Sequence, residues 1–414
     1  MLLALVLAVL LAPPPPDDGL AEAVAAIGPR LIDLRRDIHQ YPELANREFR
    51  TGKLVAARLR ELGLEVRYPV AKTGVVGVLR GRRPGPAVAI RADMDALPIA
   101  EQRDTPYRSR HPGIMHACGH DAHTAVVLAV AELLAQRKEA LPGTVVFLFQ
   151  PAEEGPPQAE EGGAALMVRE GALDDPRPVA VLGFHVDPTL AAGRMGWTDG
   201  TVFAARDRFR IEVRGRAAHS TAPDSGIDAI RAAAAIVQAI QALRGQGERP
   251  WVSVGTIQGG THYNLVADEA VLEGVARTLT ADERARHKRE LAAVVERAAE
   301  ASGAKATLGF LDAGTPATVN DPVLAARLRP VLARTYTADG VIKVGPELGS
   351  EDFSVFAERV PGFYLKAGVR NEAKGITAMT HSPAFDVDEA ALPTLSRALA
   401  SLLLELLASP PATP

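Results

Sequence analysis

Three histidines, an aspartate and the single cysteine of the chain lie within nine residues, Met115-His116-Ala117-Cys118-Gly119-His120-Asp121-Ala122-His123. Thiolate and imidazole suit borderline-soft ions such as zinc or nickel. A lone cysteine is more often a small buried hydrophobic residue, but this one lies among three histidines. An apolar, alanine-rich run follows at 124–134, and Asp121 is a good N-cap for the helix that it predicts. We therefore predict a loop that ends at a helix N-terminus, where the helix dipole favours a thiolate at Cys118.

Three continuous apolar runs, at 87–90, 144–149 and 179–184, each lead into acidic or histidine residues. Continuous apolar strands separated by a helix indicate a sheet that is covered on both faces and is therefore largely parallel. Ligands bind beyond the carboxyl ends of the strands in such sheets. The runs thus predict one rim, beside Cys118 and His120, that carries Asp93, Asp95, Glu153, Glu154 and His185.

The pattern changes after Trp197. The predicted strands and helices from 209 to 310 follow the order β-α-β-β-α-β, which is the ferredoxin-like arrangement. These strands alternate polar and apolar residues, so one sheet face is packed and the other is open, and an open face is a natural dimer surface. The first pattern returns from about Asp321. The prediction is an α/β fold in which a split catalytic domain with a mainly parallel sheet (17–198 and 312–414) contains an inserted domain (199–311).

The N-terminus is an uninterrupted apolar run at 1–12, followed by four prolines at 13–16. The run is too short to span a bilayer comfortably but fits the core of a signal peptide. A signal peptide usually has a lysine or arginine before the apolar run, and here there is none. The alternative is a frayed tail or a misassigned start codon, in which case the protein would be cytoplasmic. We favour a signal peptide with a proline spacer at 1–16, and therefore export to a periplasm or to the outside.

The composition excludes two classes of protein. The chain has 414 residues, enough for two domains, and its net charge of −4 gives no electrostatic case for nucleic-acid binding. A single cysteine excludes an internal disulfide framework.

The residues by themselves predict a metal site formed by Cys118, His120, Glu154, His185 and His381, with Glu153 beside it. Two divalent ions that share such ligands generate a hydroxide nucleophile and polarise a carbonyl. The reaction also needs a base that takes the proton of water and passes it to the leaving nitrogen. Adjacent residues on an extended segment point to opposite sides, so both glutamates reach the site only if the chain turns there.

Eight segments resemble one family. They are RADMDALPI (91–99), MHACGHDAHTA (115–125), FQPAEEG (149–155), GFHV (183–186), RGRAAHSTAPDSGIDAI (214–230), GTIQGGTHYNLVADEAVLEGVART (255–278), GSEDF (349–353) and HSPAFDVDE (381–389). They resemble the amidohydrolase branch of the aminoacylase/carboxypeptidase-type metallopeptidases, which includes N-acyl-amino-acid amidohydrolases, hippurate hydrolases and hydrolases of indole-acetyl amino acids. The resemblance runs in order from about Ile38 to Leu392.

This resemblance implies a zinc-peptidase-like catalytic domain, a ferredoxin-like lid or dimerisation domain, a homodimer and a two-metal site. The ions are zinc, manganese, nickel or cobalt. The family base falls on Glu153, and the family ligands fall on Cys118, His120, Glu154, His185 and His381.

The resemblance also implies roles for three residues of the lid. His219 resembles the lid histidine that reaches the site of a partner subunit and donates to the tetrahedral oxyanion; the alternative is a solvated loop histidine. Asn264 and Arg277 lie on segments that the family uses near the substrate. An arginine fork suits a substrate carboxylate, although Arg277 in a structural salt bridge is the alternative.

Four carboxylates are candidates for supporting the ligands. Asp93 or Asp95 is expected to orient a ligand histidine. Asp121 either does the same or caps a helix, and Glu351 either supports the site or lies in the first turn of a helix. The family gives no ligand role to His39, His116, His123 or His262, which we interpret as loop, cap or packing residues. Ser220 and Ser225 lack the Gly-x-Ser-x-Gly context of a serine nucleophile.

We expect a metal-dependent amidohydrolase that splits an N-acyl amino acid into a carboxylic acid and a free amino acid. In this hypothesis Glu153 deprotonates a metal-bridging water and later protonates the amine. A dipeptidase or carboxypeptidase with the same two metals is the alternative, because a terminal peptide bond also joins an acyl group to an amino acid. An exported binding protein with structural metals is a third hypothesis, which the intact Glu153 disfavours.

Overall fold

The computed structural model describes residues 19–243 and 251–408. Up to the insertion, the helices and strands are α1 (Leu20–Gln40), α2 (Phe49–Glu61), β1 (Glu65–Val70), β2 (Gly74–Arg80), β3 (Arg83–Asp93), α3 (His120–Ala135), β4 (Pro142–Gln150), α4 (Gly163–Arg169), β5 (Val181–Ala191), β6 (Met195–Trp197) and β7 (Thr201–Phe203). The insertion contains β8 (Ala205–Arg214), β9 (Ala218–His219), α5 (Ala229–Ala242), β10 (Trp251–Gly259), β11 (Leu265–Val266), β12 (Glu269–Thr278), α6 (Ala281–Ala301) and β13 (Lys305–Phe310). The chain ends with β14 (Thr318–Val319), α7 (Pro322–Tyr336), β15 (Val341–Lys343), α8 (Ser354–Ala357), β16 (Gly362–Arg370) and α9 (Leu392–Ala408).

The larger domain is built on an eight-stranded sheet with the order β1-β2-β4-β3-β5-β16-β6-β15. Its four central strands, β4, β3, β5 and β16, run parallel to one another. Asp93 pairs with Gln150, and Lys366 pairs with His185, so the carboxyl ends of these strands lie at one edge. The predicted mainly parallel sheet is therefore confirmed, with antiparallel pairs toward both sides.

Helices cover both faces of this sheet, as its continuous apolar strands require. Helices α1, α3 and α9 pack on one face, and α3 is buried along nearly its whole length. Helices α4 and α8 pack on the other face. The segment Glu389–Ala408 is long and apolar enough to cross a membrane, but 61% of its apolar window is buried inside the fold, as in a core helix.

The inserted domain has a four-stranded antiparallel sheet with the order β10-β12-β8-β13. Strand β8 alternates buried and less buried residues, and its apolar side chains Phe209, Ile211 and Val213 form a core with α5 and α6. The predicted ferredoxin-like arrangement is confirmed by this order and by the two helices on one face. Strands β7 and β14 pair beside the two junctions of the insertion.

One local prediction was wrong, two open alternatives were decided by the structure, and the predicted signal peptide lies outside the described residues. Helix α3 begins at His120 with Gly119 as its N-cap, so Asp121 does not cap it. Helix α1 continues to Gln40 and includes His39, which is buried, so of the roles considered for this histidine it has that of a packing residue. Helix α8 is a single turn that begins at Ser354, so Glu351 precedes it.

Candidate metal centre

The loop before α3 presents Cys118 and His120 on the same side because of Gly119. This glycine has a left-handed backbone with φ of +94°, a conformation that other residues rarely adopt. A Cβ atom added there would lie 2.4 Å from Cγ2 of Val186. Only glycine therefore allows the turn at this close contact with β5, and the Cys118 sulfur and the His120 ring both approach His185.

Hydrogen bonds fix the orientation of His185. Its Nδ1 donates to the carbonyl oxygen of Val186 over 2.7 Å, so the lone pair of Nε2 is free. That Nε2 lies 3.2 Å from the Cys118 sulfur. Burial, followed by the neighbouring His123, lowers the pKa of His185 well below its usual range. His185 is therefore held as a neutral imidazole, the form that binds a metal.

His123 is a supporting residue that sequence analysis did not identify. The backbone amide of Val186 donates to its Nε2 over 3.0 Å, so the proton of the ring is on Nδ1. Nδ1 then donates to Asp93 over 2.6 Å. His123 thus connects Asp93 at the end of β3 to the backbone beside His185. Its position three residues after His120, on the same face of α3, was the only signal for this role.

Asp95 holds three parts of the site at once. One of its oxygens lies 3.2 Å from Nδ1 of His120. The same carboxylate accepts the backbone amides of Glu153 at 3.1 Å and Glu154 at 3.0 Å. Although burial opposes protonation, Asp93 and Asp95 raise the pKa of His120 to about 10. The surroundings of this ring therefore favour a positive charge at it, and its Nε2 is buried without a hydrogen-bond partner.

The two glutamates after β4 reach the site because the chain turns there. Ala152 has a φ of +55°, and its amide donates to Glu48 over 2.9 Å. Glu154 lies 3.0 Å from Nε2 of His381, which comes from the far end of the sequence. The amide of His381 donates to the carbonyl of Ala117 over 2.8 Å, so this histidine is tied to the cysteine loop.

Glu153 lies beside the ligands and is largely buried. Its carboxylate is 3.9 Å from Nε2 of His120. Burial, followed by the negative charges of Glu351 and Asp352, raises the pKa of Glu153 well above its usual range. A carboxylate with a raised pKa takes up a proton more readily, which suits a general base that must keep and return one.

We define the rim cluster as Cys118, His120, Glu153, Glu154, His185 and His381. Two groups of three ligand atoms share the Cys118 sulfur, one with His120 and His185 and the other with Glu154 and His381. Within each group the atoms lie within 4.8 Å of one another. Burial and Glu154 raise the pKa of the Cys118 thiol well above its usual range. The helix dipole alone does not make this sulfur a thiolate, and nearby cations are required for that.

The donor set therefore fits two divalent metal ions. Sulfur, imidazole and carboxylate are the ligands that zinc and similar ions take, and Cys118 is common to both groups. The buried, unpartnered Nε2 of His120 is accounted for by such an ion. The five predicted ligands are thus brought together from four separate segments of the chain.

Two networks of buried charges support the rim cluster from behind. Arg91 is fully buried and contacts Asp93 at 2.6 Å, Glu351 at 2.9 Å and Asp352 at 3.0 Å. Glu351 also accepts a hydrogen bond from the amide of Phe353 over 3.0 Å, in the turn that precedes α8. It therefore connects Arg91, behind the rim cluster, to this turn. Sequence analysis predicted Asp93 and Glu351 but missed Arg91, although it lies in the quoted segment 91–99.

The second network surrounds Arg35, which sequence analysis also missed. Its buried guanidinium contacts Asp121 at 2.8 Å and Asp386 at 3.0 Å. Asp121 also lies 2.6 Å from Nδ1 of His39. The carboxylate next to His120 is thereby joined to the segment that carries His381. The role of Asp121 is a buried ion pair rather than a helix cap.

A cavity of about 450 Å³ opens in front of the rim cluster. This volume suits a small-molecule substrate. Two arginines of the inserted domain, Arg206 and Arg277, line it together with Lys366 of β16. Arg277 was predicted for this place, whereas Arg206 and Lys366 were not.

The other two predicted lid residues are not among the residues that line this cavity. His219 is exposed and pairs through β9 with Leu265 of β11. Its Nδ1 lies 2.9 Å from the Thr221 hydroxyl. Asn264 lies 2.5 Å from Nδ1 of the neighbouring His262. We call residues 218–221 and 260–266, which include β9 and β11, the lid tip; the side chains of His219 and Asn264 form their hydrogen bonds within it.

Curated proteins with known names are similar to this chain over most of its length. An N-acetyl-L-cysteine deacetylase of Bacillus subtilis is 38% identical over 88% of this chain and 85% of its own length. The thermostable carboxypeptidase 1 of Saccharolobus solfataricus is 38% identical over 87% of this chain and 91% of its own. Among solved structures, a dinuclear metal-binding peptidase of the M20 family from Bacillus subtilis superposes with a TM-score of 0.81 at 36% identity, covering 93% of this chain and 99% of that one.

The sequence model of peptidase family M20/M25/M40 matches residues 89–405, which include the whole rim cluster and the inserted domain. Two divalent metal ions agree with the donor set and with the dinuclear structural relative. The chain is therefore a metal-dependent hydrolase and belongs to peptidase family M20/M25/M40.

Proposed function

We propose that this enzyme hydrolyses the amide bond of N-acyl amino acids and releases a carboxylic acid and a free amino acid. The observation that carries this proposal is the position of Glu153, which lines the cavity and lies 3.9 Å from His120, while Glu154 contacts His381. One glutamate is thus left free for proton transfer while its neighbour joins the ligands. The deacetylase relative supports an acylated amino acid as the substrate.

Cys118, His120, Glu154, His185 and His381 would hold the two metal ions. The ions, when bound, acidify water and polarise the amide carbonyl. Glu153 accepts the proton of the attacking water and passes it to the amine nitrogen as the carbon–nitrogen bond breaks. The buried position of Glu153 and the negative charges around it keep this proton on the carboxylate between the two steps.

Arg277 binds the carboxylate of the amino acid in this proposal. Its guanidinium lines the cavity and donates to the carbonyl oxygen of Leu348 over 2.7 Å. This hydrogen bond holds the side chain from one side and leaves the other donors for a substrate. Of the described residues, none forms a salt bridge with Arg277, so the alternative of a structural ion pair has no support.

The test is release of free amine by the purified protein after separate loading with zinc, manganese, cobalt or nickel. The substrates are N-acetyl and N-benzoyl amino acids, the latter including hippurate, and free dipeptides. Release from the acylated substrates that is lost in Glu153→Gln supports the proposal. No release from any of them, despite bound metal, would contradict it.

Carboxypeptidase or dipeptidase activity is the second candidate, because the carboxypeptidase relative is as similar to this chain as the deacetylase. A peptide bond before a C-terminal residue presents the same carbonyl, nitrogen and carboxylate to the site. Faster turnover of dipeptides than of N-acetyl amino acids, measured as kcat/KM, would assign the enzyme to this activity.

We infer a homodimer formed through the inserted domain. Ile257, Tyr263 and Leu265 support it, because they are exposed and lie on and beside the lid tip, and grouped exposed apolar side chains mark interaction surfaces. The exposed His219, which lies outside the cavity of its own chain, supports it as well. Sedimentation velocity tests this proposal, and a monomer at micromolar concentration would contradict it.

We also propose export through residues 1–16, on the strength of the apolar run and the prolines that follow it. The residues themselves lie outside the described ranges. Expression of the full chain, followed by cell fractionation and N-terminal sequencing, tests this. A protein that keeps Met1 and stays in the cytoplasm would contradict it.

A further inference from the structure

Arg206 and Arg277 form a pair on the cavity wall that faces the rim cluster. They lie directly opposite each other in the antiparallel ladder of β8 and β12. Residues in that relation point to the same face of the sheet, with Cβ atoms about 5 Å apart. Both side chains line the cavity. Two guanidinium groups therefore stand side by side next to the proposed substrate site.

These two charges have no anionic partner within the described residues. Arg277 donates a hydrogen bond to a neutral group, the carbonyl oxygen of Leu348. The Nε of Arg206 is buried and has no hydrogen-bond partner. The lysine that lines the same cavity is different, because Lys366 contacts the carboxylate of Glu347 and lies 3.9 Å from that of Asp187.

Two adjacent, partly buried positive charges repel each other. Burial, followed by the charge of Arg206, lowers the pKa of Arg277 from its ordinary value. An anion that reaches both groups removes this repulsion and supplies acceptors for the free N–H groups. A single guanidinium binds one carboxylate through two parallel hydrogen bonds. Two adjacent guanidinium groups can therefore bind two carboxylates and neutralise both charges.

We propose that Arg206 and Arg277 together bind the two carboxylates of an N-acylated acidic amino acid, so that N-acyl glutamate and N-acyl aspartate are the preferred substrates. The inference rests on the proposed function and names its substrate class. Both carboxylates belong to the amino acid because the two arginines are neighbours on one wall. A carboxylate on the acyl group would lie beyond the scissile amide, on the other side of the rim cluster.

The experiment compares kcat/KM for N-acetyl-L-glutamate with that for N-acetyl-L-glutamine, using the full chain loaded with its most active metal. The two substrates have nearly the same shape and differ in one charge. A charge-assisted bidentate contact predicts a preference of about 10- to 100-fold for the glutamate conjugate. N-acetyl-L-aspartate and N-acetyl-L-asparagine form a second pair with the same expectation.

Arg206→Gln is expected to reduce this preference to nearly one. The ratio of the two substrates is the readout, so a general loss of folded enzyme does not change it. Arg208→Gln is the matched control, because Arg208 lies two residues along the same strand on the same face, is exposed and does not line the cavity. This control is expected to keep the full preference.

Inhibition by products gives an independent measurement on the unaltered protein. L-Glutamate is expected to inhibit turnover at a concentration at least about tenfold lower than L-glutamine does. Equal turnover of the two conjugates by the wild type would mean that both arginines bind a single carboxylate. A preference that survives in Arg206→Gln would mean that another group binds the side-chain carboxylate. Either result would overturn the inference while the proposed function stands. Absence of turnover on every acylated substrate would instead overturn the proposed function, and this inference with it.

Discussion

The rim cluster and the lid tip differ in what holds their side chains. In the rim cluster, contacts join segments that are far apart in the sequence: Asp95 binds the amides of Glu153 and Glu154, and His381 is tied to Ala117. In the lid tip, His219 contacts Thr221 and Asn264 contacts His262, each only two residues away. The first region is organised by the tertiary fold, and the second is organised locally.

This difference indicates how the chemistry is divided. Metal binding and proton transfer need ligand atoms held within a few tenths of an ångström, and buried networks provide that. His219, the expected oxyanion donor, lies on the exposed lid tip, so we expect domain closure or a second subunit to bring it to the substrate. We therefore expect one chain to supply every residue of the rim cluster. The lid tip is expected to reach the substrate only after domain closure or from a second subunit.

The largest effect is expected for Glu153→Gln, which removes the proposed base and keeps the shape of the side chain. Turnover should fall about 10³- to 10⁴-fold, the upper part of the range for general acid–base catalysis. Metal content, measured by atomic emission, should stay at two ions. Cys118→Ala is the converse variant, since it should lose metal first; a Glu153→Gln enzyme with substantial activity would refute the assignment of the base.

The next largest effect concerns the network behind the rim cluster. Arg91→Met leaves the buried carboxylates of Asp93, Glu351 and Asp352 without their cation. The free energy of unfolding should fall by about 3–5 kcal/mol, as for other broken buried ion pairs. Arg80→Met is the control, because its pair with Glu65 is exposed and should contribute less than about 1 kcal/mol. Equal urea midpoints for the two variants would show that buried charges do not hold the rim.

His219→Ala should lower kcat about 10²- to 10³-fold, with metal content and stability unchanged, because it removes the expected oxyanion donor. Mixing this variant with Glu153→Gln then sharpens the comparison. If His219 acts on the partner subunit, each mixed dimer has one intact site, and activity should recover to about a quarter of wild type after subunit exchange. No recovery, with mixed dimers demonstrated by tagged subunits, would mean that His219 acts within its own chain.

The smallest effect on stability is expected for the ion pairs that join β8 to α6 inside the inserted domain. Asp207 of β8 contacts Arg284 at 2.7 Å and Lys288 at 2.9 Å, and Arg284 also reaches the carbonyl of Ala313. Although burial opposes ionisation, hydrogen bonds from Arg284 and Lys288 lower the pKa of Asp207. The stabilisation is therefore present above the ordinary aspartate pKa and is lost as the pH falls through the lowered one.

Asp207→Asn should accordingly reduce the free energy of unfolding by about 1–2 kcal/mol at pH 7. The difference from wild type should shrink as the pH is lowered toward 2, measured by urea unfolding at each pH. Asp282→Asn, which changes an exposed carboxylate on α6, is the control and should differ little from wild type. A difference that does not depend on pH would contradict the ionic origin of the effect.

Much of this architecture was predictable because it depends on local patterns. Continuous apolar runs that end in Asp93, Glu153 and His185 predicted the parallel strands and their common edge, and the structure has both. Alternation along β8 predicted a half-covered sheet in the insertion. In each case the pattern reflects which faces of a strand are buried, and this property is encoded residue by residue.

Local rules failed where distant contacts outweighed them. Asp121 matches the pattern of a helix cap, but the buried guanidinium of Arg35 and the ring of His39 bind its carboxylate. The close contact between Val186 and the loop leaves space only for glycine at 119, and this glycine, not Asp121, is the N-cap of α3. Leaving one partner of a buried ion pair without the other costs about 3–5 kcal/mol, against about 1 kcal/mol for a lost helix cap, so the tertiary contact decides.

The sequence by itself determined the types of residue at the site, the order of the strands that deliver them and the family to which they belong. Only the tertiary structure decided that Arg91 and Arg35 hold the rim cluster, that His123 fixes the backbone beside His185, and that Arg206 stands next to Arg277 on the cavity wall. The physical reason is that ligand chemistry is a property of side-chain types and their spacing, whereas the neutralisation of buried charges depends on which distant segments meet.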